Sequence, residues 1–143
     1  GSPVHPANND VDLNFQVRQA GETSYDNEIL GAAHYQANSA AGSEEGPLNS
    51  GAGFYQNSTG GVKCISSLTY GNDEHGVFEL YLYNPANTTY VTPWHVKGNN
   101  VGGGVNEWHG SGIINITGAV NAVQFSLSSG NFGTCTVKHW GIK

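Results

Sequence analysis

The stretch Val11-Asp-Leu-Asn-Phe-Gln-Val-Arg18 constrains the fold more than any other part of this chain. Val11, Leu13, Phe15 and Val17 alternate with Asp12, Asn14, Gln16 and Arg18. Successive side chains of an extended strand point to opposite faces, so a period of two describes a strand with one buried and one polar face. Such a strand needs a second layer to cover its apolar side.

The same period returns along the chain. Phe78, Leu80 and Leu82 form the apolar face of a strand over Val77–Tyr83, and Val123, Phe125 and Leu127 alternate with Gln124, Ser126 and Ser128. Further strands are predicted over Ile29–Ala37, Val62–Tyr70, Thr88–Val96, Ile113–Thr117 and Thr136–Ile142. Pro93 makes its strand an edge or a bulge, because proline cannot donate to a ladder. Between the strands lie Gly71–Gly76, Asn84–Asn87, the glycine–asparagine loop Gly98–Gly104 and Ser128–Asn131, all rich in turn-forming residues. Asn38–Gly53 reads as a long loop or distorted edge. Eight or nine short strands at this spacing predict an all-β protein, an antiparallel β-sandwich of jelly-roll type. Residues 11–143 form one domain, with 1–10 read as a tag remnant (Gly1-Ser2) and an N-terminal loop.

Composition narrows the function. Charged residues are 11% of the chain, under half the usual ~25%. Glycine, asparagine, serine and threonine replace them. The net charge is −6, with five basic residues besides histidine. No basic stripe exists to neutralise phosphates, so nucleic-acid binding is not expected. No apolar run approaches a membrane span of ~20 residues. Cys64 and Cys135 lack zinc-site spacing and read as free thiols rather than a disulfide framework.

No nucleophile elbow or cleft-flanking carboxylate pair is evident, so no enzyme activity, cofactor or metal is expected. Asp73-Glu74 and Glu44-Glu45 read as solvated turn acids. Trp94-His95, Trp108-His109 and His139-Trp140 are more informative, because strand neighbours face opposite ways. Three readings stay open. Exposed tryptophans can stack on sugar rings, the histidines can gather at a symmetry axis or on a metal, or the tryptophans fill the core or a subunit interface. Tyr35, Tyr81, Tyr83 and Tyr90 offer recognition area at low entropic cost, or simply cross-strand pairs.

Three segments carry a family likeness. Leu80-Tyr-Leu-Tyr-Asn-Pro-Ala-Asn-Thr-Thr89, Ala119-Val-Asn-Ala-Val-Gln-Phe-Ser-Leu-Ser-Ser-Gly-Asn131 and Thr136-Val-Lys-His-Trp-Gly-Ile-Lys143 resemble the C-terminal β-sandwich module of tailed-bacteriophage tail fibres and tailspike-like proteins. Cys135, His139 and Gln124 depart from that pattern. The resemblance implies a homotrimeric virion protein, assembled in the host cytoplasm, that attaches to a host-surface glycan or protein. The expected ligand-binding residues are Trp94, Trp108, His109, Asn99, Asn100, Tyr81 and Tyr83, with contacts centred on the Asn38–Gly53 and Lys97–His109 loops. The alternative function is a structural trimerisation or folding cap with no ligand of its own.

Overall fold

The computed structural model describes residues 3–25, 29–39, 48–50, 61–101 and 104–141, with the backbone alone at 30–39 and 48–50. These residues hold ten strands and no helix: β1 (His5–Pro6), β2 (Val11–Gln19), β3 (Ile29–Ser39), β4 (Leu48–Ser50), β5 (Val62–Leu68), β6 (His75–Leu82), β7 (Thr92–Val101), β8 (Val105–Ile114), β9 (Val120–Leu127) and β10 (Phe132–Thr134). Their order is β5-β2-β9 in one sheet, β4-β3-β8-β7-β6 in a second and β1-β10 in a small third. Every pairing is antiparallel. The chain is an all-β antiparallel sandwich, as its alternating runs require.

The alternating stretch at the start of the chain is the central strand of the smaller sheet. Val11, Leu13, Phe15 and Val17 are all buried. Opposite them, the larger sheet contributes Trp94 and Val96 from β7 and Trp108 and Ile114 from β8, while Val62, Cys64, Ile65 and Leu68 enter from β5. The Phe15 ring meets Trp94 edge-on, with centroids 5.2 Å apart at 74°. Phe78 of β6 and Phe125 of β9 make a second edge contact, at 5.0 Å and 63°. Such pairs contribute about 0.5–1.5 kcal/mol beyond the area they bury.

A polar chain crosses this core. Trp108 Nε1–H donates to Asn100 Oδ1 at 2.7 Å, and Asn100 Nδ2–H donates to the Ser67 carbonyl at 3.0 Å. Ser67 has a positive φ of 55°. Its N–H reaches Asp12 Oδ1, which the Ser66 hydroxyl also contacts, and Lys63 Nζ lies 2.7 Å from Asp12 Oδ2. Partial burial pushes the Asp12 carboxyl up, but the Lys63 ammonium and the Ser66 and Ser67 donors outweigh it and hold the group below its ordinary value. The register of β2 against β5 shifts next to Asp12. The carboxylate therefore pins the irregular end of β5 that presents the Ser67 carbonyl to Asn100.

Several expectations are corrected. Pro93 stands near the start of β7, which is an inner strand between β6 and β8. Gly98–Val101 continues β7 rather than forming a loop, and Val105–Ile114 is one unbroken strand. Gly98 is needed because a Cβ there would stand 2.9 Å from the Val77 carbonyl and 3.1 Å from the Ile65 side chain. Glycine stands inside this strand because the backbone of β6 and the Ile65 side chain leave no room for a larger residue. The N-terminal segment is not a free loop: Val4 is buried and exchanges backbone bonds of 2.7 and 2.9 Å with Gly76. At the other end, β10 is Phe132–Thr134, and Cys135–Gly141 belongs to no sheet. Both cysteines are free, Cys64 buried and Cys135 partly so. Most of the Asn38–Gly53 region and all of Phe54–Asn57 lie outside the described residues.

Candidate functional site on the outer face of the larger sheet

The register of β6, β7 and β8 sorts the candidate residues into two sets. Trp94, Gly98 and Asn100 point inward from β7, and Trp108 does so from β8. Trp94 is 1% exposed, Trp108 2% and Asn100 0%. These three expected ligand contacts are instead core residues. The tryptophan–histidine alternation holds in both strands, with tryptophan inside and histidine outside. The reason is spatial: each indole faces the smaller sheet, where Phe15 and its neighbours cover it.

The other four candidates, Tyr81, Tyr83, Asn99 and His109, lie on the solvent side. Tyr81 of β6 pairs with His95 of β7, which pairs with Ser111 of β8. The next row is Glu79, Lys97 and His109, and the row after that is Val77, Asn99 and Glu107. Strands ~4.8 Å apart and same-face residues ~6.7 Å apart make this a platform of roughly 10 by 14 Å. Tyr35 of β3 stands opposite His109 in the ladder.

An aromatic cluster occupies one end. The Tyr81 ring stacks on His95 with centroids 4.4 Å apart and planes 17° apart. The Tyr83 ring lies 5.5 Å from the same imidazole, tilted 36°. Its hydroxyl is 2.6 Å from His95 Nδ1. Tyr81 Oη–H donates to Glu79 Oε2 at 3.2 Å, and this bond to a carboxylate is the main cause pushing the phenol above its ordinary value. Tyr81 and Tyr83 remain substantially open to solvent.

Acceptors and donors fill the middle. His109 Nε2 lies 2.9 Å from Glu107 Oε1, and Lys97 Nζ is 3.9 Å from the same oxygen. Exposed ion pairs of this length contribute little to stability, so these groups can exchange partners with a ligand at small cost. Val77, Val101 and Val105 form an apolar margin at the far end. Among the described residues no group of histidine, cysteine, aspartate or glutamate could hold a metal ion.

Sequence reasoning missed Glu79 as a site residue, included Lys97 and Glu107 only within the Lys97–His109 stretch, and placed His95 only in a pair with Trp94. Alternation was the signal available: once Trp94 and Trp108 are inside, the residues on either side of each must be outside. Bringing them into one row across three strands depends on register, which no local pattern specifies. No helix among the described residues is long and apolar enough to cross a membrane.

No protein-family model, no curated protein and no solved structure matches the chain.

Proposed function

We propose that this chain is a virion attachment module, the C-terminal domain of a phage tail fibre or spike, whose outer β6–β7–β8 face binds a host-surface glycan. The observation that carries the ligand class is the Tyr81–His95–Tyr83 cluster beside Glu79, Lys97, Asn99, Glu107 and His109. A pyranose presents C–H faces and hydroxyl edges. The first suit an exposed aromatic ring, and the second suit mixed donors and acceptors on a surface of low net charge. The phage assignment rests on the three resembling segments, which also imply a homotrimer.

A glycan array probed with the labelled protein tests the reading. Binding to particular glycans that Tyr81→Ala and His95→Ala abolish supports it, provided both variants melt like the parent. An array with no bound glycan, or binding indifferent to both variants, refutes it. A second reading, a fibre cap without a ligand, is favoured by the exposed apolar side chains Val137 and Trp140 outside the platform.

A further inference from the structure

We propose that Thr136–Gly141 adds as a strand to the open edge of β9 in a second copy of this chain. Two separate features point to this, one at each side of the contact.

The first is the segment itself. Thr136-Val-Lys-His-Trp-Gly141 has strand composition and follows directly on β10, yet it lies in no sheet. All six residues are exposed, Val137 to 52% and Trp140 to 73%. No described residue hydrogen-bonds their backbone. Exposed valine and tryptophan side by side leave apolar area in water, and addition of the segment to a sheet covers part of it.

The second is the edge. β9 is the outer strand of its sheet. Natural edges are blunted by shortness, charge, proline or bulges. β4 and β10 have three residues each. β5 carries Lys63 and the Ser67 irregularity. β6 carries Glu79, and Val4 covers its start at Gly76. Val120-Asn-Ala-Val-Gln-Phe-Ser-Leu127 has eight residues, no proline and no charge. Pro85 covers its start, where its carbonyl accepts from the Val120 N–H at 2.7 Å, and Asn121–Leu127 beyond it is the longest uncharged run on any described edge. Val123 sits on its inward face opposite buried Val17, yet it is 37% exposed. Val137 and Trp140 fall on opposite faces of an added strand, so one of them lies on the face that carries Val123.

The occupant is a second copy because Thr134, at the root of the segment, is committed to His5 rather than to β9. Segment and edge are different surfaces, so the contact is head-to-tail and closes as a ring where the rotation permits.

The test is sedimentation velocity over a concentration series. The parent chain is expected to associate. A chain ending at Cys135, and the full-length variant Val123→Lys, are each expected to sediment as monomers. Mixed together, these two are expected to form a 1:1 dimer, since one keeps the edge and the other keeps the strand. If Val123→Lys fails to fold, a synthetic 135–143 peptide with Cys135→Ser is titrated into the shortened chain, following Trp140 anisotropy. Saturable binding supports the proposal. A parent that stays monomeric, association that survives removal of the segment, or a peptide that does not bind overturns it.

Discussion

Asn100→Leu separates the two roles that this asparagine has been given. Its side chain accepts from Trp108 Nε1 at 2.7 Å and donates to the Ser67 carbonyl at 3.0 Å, from a position 0% exposed. Leucine has nearly the same shape, so the substitution removes hydrogen bonds without opening a large cavity. Stranding a buried polar group costs about 1–3 kcal/mol. The indole N–H is fully inside and takes the larger share, while the Ser67 carbonyl is only partly buried and takes less. The expected loss is about 2–4 kcal/mol, a large part of a typical total of ~5–15 kcal/mol. In a domain of this size that lowers Tm by roughly 6–16 °C. Chemical denaturation with an unchanged slope gives the free energy. A double-mutant cycle with Trp108→Phe isolates the pair, and the double variant should be less destabilised than the sum by about 1 kcal/mol. A Tm within ~2 °C of the parent, or strict additivity, refutes the network.

Three other outcomes follow from the same geometry. Gly98→Val should destabilise by about 1–3 kcal/mol in thermal melts, because the new side chain meets the Val77 carbonyl and Ile65 and overpacking forces both layers apart. Burial pushes the Cys64 thiol far above its ordinary range, and Cys135 rises less. A thiol reagent at neutral pH should therefore label Cys135 slowly and Cys64 only after unfolding, which mass spectrometry reads residue by residue. Asp12 has a folded pKa below the ordinary 3.8, so its contribution is present above the unfolded value and is lost as pH falls through the folded one. Acid titration of stability should show a shallower loss below pH ~4 in Asp12→Asn than in the parent.

How much of this was legible in the sequence depended on what each strand faces. β2 was readable because one side is apolar and the other polar along Val11–Arg18, and β6 because Phe78, Leu80 and Leu82 share one face. β7 and β8 were not, because their inward positions include Gly98, Asn100, Asn106, Gly110 and Gly112. Those residues read locally as turns, and tertiary contacts explain two of them: the Val77 carbonyl and Ile65 leave no room for a side chain at Gly98, and Trp108 on the adjacent strand needs the Asn100 oxygen. Alternation correctly separated Trp94 from His95 and Trp108 from His109. It could not say which member of each pair faces the core. The Tyr81–His95 row was invisible for a different reason, since it is a product of strand pairing between residues fourteen apart. At the end of the chain, strand composition was read correctly as composition and wrongly as a sheet strand, because Thr136–Gly141 has no partner among the described residues.

The central claim is that recognition belongs to the outer face of β6, β7 and β8, and that the tryptophans belong to the core. Amide chemical-shift mapping with a glycan selected from the array tests this most directly. The account predicts saturable shifts concentrated at Glu79, Tyr81, Tyr83, His95, Lys97 and His109, with the Trp94 and Trp108 indole signals unmoved. Shifts that instead centre on the indoles, or that fall outside these three strands, would contradict it.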